Sequence, residues 1–261
     1  MTPELRKYPR THHLEGSRLQ PGDEDLEGVP FSRLAGRPLV VEEKIDGANS
    51  AVRFTADGRL LLQSRGHYLV GGARERHFDL LKTWATTHAG TLYGALGSRY
   101  VMYGEWTYAK HTIFYDRLPH YFLEFDVWDG ETGEFLSTPR RAALLAGVAV
   151  ASVPVLFSGA ARSLSSLTRL IGPSRFIGPD HREHLAAACR ERGLDERRAV
   201  DETDASGIME GLYLKVEEGG AVTERYKYVR ASFLTAVLDS GSHWLARPIV
   251  PNRLADGATL W

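Results

Sequence analysis

The sequence predicts an α+β fold in one domain, residues 1–261, with antiparallel sheet segments on either side of a helical stretch. Three observations carry this. Short apolar or alternating runs occupy 38–64 and 100–128. Similar runs return at 211–216 and 223–229. Between them, 140–205 reads as mainly helical, and no internal repeat, low-complexity segment or clear linker divides the chain.

The elements follow in order. Residues 1–37 are polar and turn-rich (Gly16, Pro21, Gly22, Gly28, Pro30, Gly36), an irregular lead-in expected to pack on the domain. From Pro38 to Ser64 the pattern is strand, turn, strand, strand. Leu39 to Val41 is apolar, Ser50 to Thr55 alternates, and Asp57-Gly58 is a hairpin turn before Leu60, Leu61 and Leu62. Phe78, Leu81, Trp84 and Ala85 recur at helical spacing, which predicts a helix over about 73–88 with Trp84 in the core. Tyr100–Trp106 and Tyr121–Trp128 read as aromatic-rich strands. Thr138-Pro139 reads as a helix cap followed by proline at the first helical position. Asp180 and Glu183 have capping-box spacing, and Gly193 would end that helix. After the late strands, a short helix is expected at about 231–239, with a tail to 261.

Composition narrows the class. The chain is 43% hydrophobic and 25% charged, ordinary for a globular protein. No run reaches membrane-spanning length and the first residues lack a secretion signal's apolar core, so a cytoplasmic protein without membrane contact is expected. One cysteine, Cys189, excludes an internal disulfide and a cysteine-rich zinc site. Lys and Arg number 32 against 33 acids, so any nucleic-acid contact must come from a local groove of positive charge.

The most informative run is Val41-Glu42-Glu43-Lys44-Ile45-Asp46-Gly47-Ala48-Asn49. A lysine beside an acid and a glycine, at the end of a strand-like run, suggests a nucleophilic amine. A free amine, with a pKa near ~10.4, must lose a proton to attack phosphorus, and nearby cations favour that loss. Lys215, Lys227, Arg65 and a bound Mg²⁺ are the candidate cations; Asp46 and Glu210 are the candidate carboxylates for the metal and its waters. In the Leu212–Val216 run the alternation places Lys215 with Tyr213, opposite Leu212 and Leu214.

At these residues the chain resembles the covalent nucleotidyltransferases, the ATP-dependent ligases and capping enzymes, and most closely the RNA ligase family. Lys44-Ile45-Asp46-Gly47 is similar to the motif whose lysine bonds to AMP, and Asn49 fits the RNA ligase branch. Ser64-Arg65-Gly66 resembles the motif whose arginine contacts the ribose and the end to be joined. Glu105, in Tyr103-Gly104-Glu105, matches the ribose-binding glutamate. Phe122-Leu123-Glu124-Phe125-Asp126 resembles the motif with a purine-stacking aromatic, which by spacing is Phe122. Glu210 to Lys215 resembles the fourth motif, and Arg225-Tyr226-Lys227 the fifth, with Arg225 where the family usually has lysine. Glu43, Asn49, Arg65, Glu105, Phe122, Lys215, Arg225 and Lys227 are thereby expected at the nucleotide, and Asp46 and Glu210 at Mg²⁺ or Mn²⁺.

The resemblance implies an adenylation-type nucleotidyltransferase domain, unrelated to ATP-grasp, with antiparallel sheets around an ATP cleft and a helical insert. It implies an ATP-dependent RNA ligase: Lys44 takes AMP, passes it to a 5′-phosphate, and a 3′-hydroxyl displaces it. RNA repair is the expected setting. The short stretch after Lys227 is too small for an appended barrel, which suggests a minimal ligase working with an end-healing kinase or phosphatase partner. The chain has no phosphate loop of its own for such kinase activity. The alternatives are a DNA or hybrid-nick ligase, a GTP-using capping-type enzyme, and a non-catalytic nucleic-acid binding module. His12-His13 and Lys110-His111 are polar candidates for meeting a nucleic-acid end. His181 and His184 share a helix side, but without zinc-site partners a solvated face is the better reading.

Overall fold

The computed structural model describes residues 3–19, 26, 28–233 and 248–261. Its first strand is β1 (His12–His13), in the lead-in. The Lys44 run forms β2 (Pro38–Lys44), followed by β3 (Ala48–Phe54) and β4 (Leu60–Ser64) around the Asp57-Gly58 turn. The helix expected over 73–88 is shorter: a 3₁₀ segment covers Ala73–Phe78 and α1 covers Asp79–Thr87. A second helix, α2 (Ala89–Leu96), follows. Then come β5 (Tyr100–Trp106), β6 (Phe122–Asp129), β7 (Glu134–Leu136) and α3 (Thr138–Leu144). The cap of α3 is Ser137, not Thr138, whose hydroxyl and amide instead donate to Glu217 at 2.6 and 2.9 Å.

The stretch 140–205 is not mainly helical. It contains β8 (Ala151–Ser152) and β9 (Val155–Ala160) before α4 (Leu164–Thr168), α5 (His181–Glu191) and α6 (Glu196–Asp201). Among the described residues β9 pairs only with β2, and it has no buried position, so it lacks the buried alternation that marks a strand in sequence. Asp180 caps α5 without a side-chain bond, so the expected capping box does not form. The chain returns through β10 (Gly211–Glu218) and β11 (Ala221–Val229). Residues 231–233 are helical; the rest of the helix expected at 231–239 lies outside the described residues.

The strands join in one mostly antiparallel sheet of order β4-β3-β5-β6-β7-β11-β10-β2-β9, with β1 parallel to β11 and β8 parallel to β6. Helices and sheet are thus mixed in one hydrogen-bonded framework. One face of the β3–β5–β6 half packs on α1 and α2 through Trp84, Trp106, Met102 and Phe122. The β2–β10–β11 half buries Leu39, Val41, Leu212, Leu214 and Val216 on its own outer side. A third cluster, including Ala51, Tyr103, Leu123 and Phe125 from one half and Val229 from the other, lies between the two halves. The sheet therefore curls so that two of its faces confront each other. Among the described residues, no helix is long and apolar enough to cross a membrane.

Candidate active site

Strand pairing assembles the site at one end of this inner layer. Lys44 ends β2 directly opposite Gly211, which places Glu210 beside it. Lys44 Nζ donates to Glu210 Oε2 at 2.8 Å. Asn49 on β3 lies opposite Glu105 on β5, both half-buried. The turn between β2 and β3 presses on β5: a Cβ at Gly47 would stand 2.9 Å from Glu105 Cγ and from the Trp106 carbonyl oxygen. Glycine is therefore needed for close approach.

Asp46 is fixed by the loop that follows Lys110-His111, through Thr112, Ile113 and Tyr115, which carry no motif in the sequence. Its Oδ2 accepts from the Thr112 and Ile113 amides, both at 2.7 Å, and its own amide donates to the Tyr115 hydroxyl at 2.9 Å. Oδ1 stands 3.9 Å from His111 Nδ1.

The electrostatics reverse one expectation. Cations were to draw the Lys44 pKa down. Burial does act in that direction, but Glu210, Glu105 and Asp46 outweigh it and hold the ammonium above its ordinary value. The acids shift as well. Burial pushes Glu105 up to about 8 against the pull of Lys44, with Glu210 and Asp46 adding repulsion and Arg65 opposing them. Burial pushes Glu210 up to about 7, with Lys44 and Lys227 opposing it. Three carboxylates share one close ammonium, a surplus of negative charge that suits a divalent cation. Among the described residues no group of three or more His, Cys, Asp or Glu is arranged as a metal cage. Two acids still suit magnesium, which retains several waters.

Several expected nucleotide contacts lie elsewhere. The Lys215 ammonium is fully buried, 2.8 Å from Glu42 and 3.5 Å from Asp126, and it donates to the Phe125 carbonyl. Two carboxylates and a carbonyl thus surround this ammonium inside the protein. Arg225 stacks at 4.1 Å on Phe135 and lies 3.4 Å from Asp126, which accounts for a planar guanidinium at this position and commits it to the interior. Lys227 remains close enough to Glu210 to act on its charge. Glu43 lies on the opposite face of β2 from Lys44, buried, accepting from Ser174 Oγ at 2.5 Å and pushed by burial to about 7. Arg65 is exposed on the loop after β4, on the side of Glu105.

Phe122 is also displaced from its expected role. It is fully buried beneath Trp84, rings 5.3 Å apart, and fills the space a Cβ at Gly104 would need. It faces α1, away from Glu105. The register of β5 and β6 breaks between Tyr103 and Gly104, leaving Phe125 as the extra residue of a bulge. Phe125 lies on the face of Leu123, opposite to Phe122, and points into the inner layer toward Tyr213, with ring centroids 6.3 Å apart.

The remaining polar candidates are mainly structural. His13 is buried on Ser17, and Lys110 donates to the His111 and Glu202 carbonyls, so neither is presented to a nucleic-acid end. His184 pairs at 2.7 Å with the buried Asp116 rather than with His181, which bonds the Gly178 carbonyl.

A family model described as RNA ligase matches residues 37–229. Among solved structures, the chain is similar to a Naegleria gruberi RNA ligase mutant with ATP and Mn, at 16% identity and a TM-score of 0.55, over 88% of this chain and 58% of that one. A second mutant of that ligase with ATP and Mn matches at 16% identity and a TM-score of 0.56, over 91% and 60%. A third, with AMP and Mn, matches at 15% and 0.55, over 90% and 59%. The chain thus spans about three fifths of the length of these ligases. No curated protein sequence matches it.

Proposed function

The chain belongs to the RNA ligase family, and on that premise we propose that it is an ATP-dependent RNA ligase with Lys44 as nucleophile. The observation that carries this reading is the Lys44–Glu210 contact at 2.8 Å, with Glu105 and Asp46 beside it and Lys227 on the neighbouring strand. The Lys44 nitrogen bonds to the α-phosphorus of ATP, the bond to the β-phosphate oxygen breaks, and pyrophosphate leaves. Glu210, with a pKa of about 7, accepts the amine proton. Lys227 and Arg65 stabilise the phosphate charge. A magnesium or manganese ion held by Asp46 and Glu210, largely through water, would offset charge between acids and phosphates. The purine enters between Phe125 and Tyr213, the two rings on the Lys44 side, which part from their 6.3 Å separation to receive it, and Glu105 and Asn49 meet the ribose.

The AMP then passes to a 5′-phosphate, and a 3′-hydroxyl displaces it as the new phosphodiester forms. Positioning and fixed charge supply most of the acceleration. RNA repair in the cytoplasm, beside an end-healing kinase or phosphatase, is the setting we propose. Incubation with Mg²⁺ and α-labelled ATP, GTP or NAD, followed by a denaturing gel, tests the reading. Label from ATP that disappears in Lys44→Ala is the expected outcome; no label from any of the three sinks it. Nicked RNA, nicked DNA and hybrid nicks then separate RNA sealing from DNA sealing.

A further inference from the structure

We propose that the amino-terminal segment is part of the nucleotide site, with Tyr8 and Thr11 as positioning residues that set the Tyr213 ring against the base. This rests on the reading that the space between Phe125 and Tyr213 receives the purine. The segment crosses the inner layer between two anchors. On one side the Arg6 carbonyl accepts from Tyr103 and Gln63, both at 2.8 Å. On the other, His12 and His13 pair with Tyr226 and Lys227. Between them the Tyr8 ring enters the layer, edge-on to Phe125 at 5.1 Å and to Phe135 at 5.7 Å.

The hydroxyls form a chain whose direction follows from proton counting. Tyr8 donates to Asp126 Oδ2 at 2.6 Å. Burial raises the Asp126 pKa, but Lys215, Arg225 and Arg141 outweigh it and hold the acid below its ordinary value, so this carboxylate only accepts. A phenol has one proton, and that of Tyr8 is committed. The 2.7 Å contact between Tyr8 and Tyr213 must then be donated by Tyr213, and the 3.0 Å contact between Tyr213 and Thr11 by Thr11. The relay runs Thr11 to Tyr213 to Tyr8 to Asp126, and it holds the Tyr213 hydroxyl through both its proton and its oxygen. The Tyr213 ring stands 6.3 Å from Phe125, tilted by 45°. A base stacked between two rings needs about 7 Å between them, so small movements of Tyr213 decide the fit.

The experiment measures lysine labelling against ATP concentration in wild type, Tyr8→Phe and Thr11→Val. Tyr8→Phe keeps the ring in the layer. Thr11→Val reaches Tyr213 without touching Asp126 and keeps the test open if the first variant does not fold. Each variant is expected to raise KM for ATP about 3- to 10-fold, the equivalent of one lost hydrogen bond, and to narrow the preference for ATP over GTP. The rate at saturating ATP and the sealing of pre-adenylated RNA should stay within about twofold of wild type. Unmoved KM values in both variants, or equal losses in labelling and in pre-adenylated sealing, would overturn the proposal. A wild type that takes no label from ATP defeats the underlying reading; a labelled wild type with unmoved variants defeats only this inference.

Discussion

The inner face of the β2–β10–β11 half carries charge at two places, and they differ in balance. In the sealed cluster, Glu42, Glu124 and Asp126 meet Lys215, Arg141 and Arg225, three acids against three cations. Their side chains are at most 12% exposed. At the Lys44 end, Glu105, Glu210 and Asp46 surround a single close ammonium, itself 25% exposed. Within the sealed cluster the cations prevail at Asp126, while burial prevails at Glu124 and raises its pKa. Asp126 stays below its ordinary pKa despite burial, whereas Glu105 rises to about 8. Similar residue types therefore hold the fold in one place and leave an unmet demand for positive charge in the other.

The largest expected effect tests this division through two lysines on one face. Lys215→Met removes one partner from a buried network and leaves its three acids facing two cations, Arg141 and Arg225. It should cost about 3–5 kcal/mol in urea unfolding. Lys227→Met should cost less than about 1 kcal/mol of stability and reduce lysine labelling by about 100-fold. Comparable stability losses in the two variants would dissolve the distinction between a sealed and an open end.

The sequence makes the strands of the site legible because each is a short run bounded by turns, and the Lys44, Glu105 and Glu210 motifs lie on or beside them. Their convergence rests on the pairing of β2 with β10 and β3 with β5, which motif order alone does not state. Lys215 and Arg225 occupy motif positions, yet burial depends on what stands opposite, here Asp126. Motif spacing points to Phe122, but Phe122 and Phe125 lie on opposite faces of β6, and only the packing of the sheet shows that Phe125 has the inner one. Tyr8 carries no local signal: its partners, Asp126 and Tyr213, are distant in the chain.

A smaller effect is expected from pH and metal. Glu210 and Glu105 have folded-state pKa values of about 7 and 8, above the ordinary carboxylate range. The folded chain then binds more protons than the unfolded one between roughly pH 4.5 and 8, so these acids make stability fall as pH rises through that window. Magnesium favours the ionised acids and should oppose the fall. Thermal midpoints should show stabilisation of about 1–2 kcal/mol by millimolar Mg²⁺ at pH 8 and much less at pH 6. An equal magnesium effect at both pH values would mean that the ion acts elsewhere.

The smallest effect concerns the boundary between the two regions. Arg225 has the planar guanidinium that stacks on Phe135 and approaches Asp126, and it sits two residues along β11 from Lys227. Arg225→Lys keeps the charge but loses the stacked plane. If the residue belongs to the sealed cluster, the change should lower stability by about 1 kcal/mol and leave KM for ATP within about twofold. If it instead reaches the nucleotide, the order of effects inverts: stability holds while KM for ATP moves. Measuring both quantities on one variant locates the edge of the active site along β11, because a charge-conserving change at this position separates packing from phosphate contact.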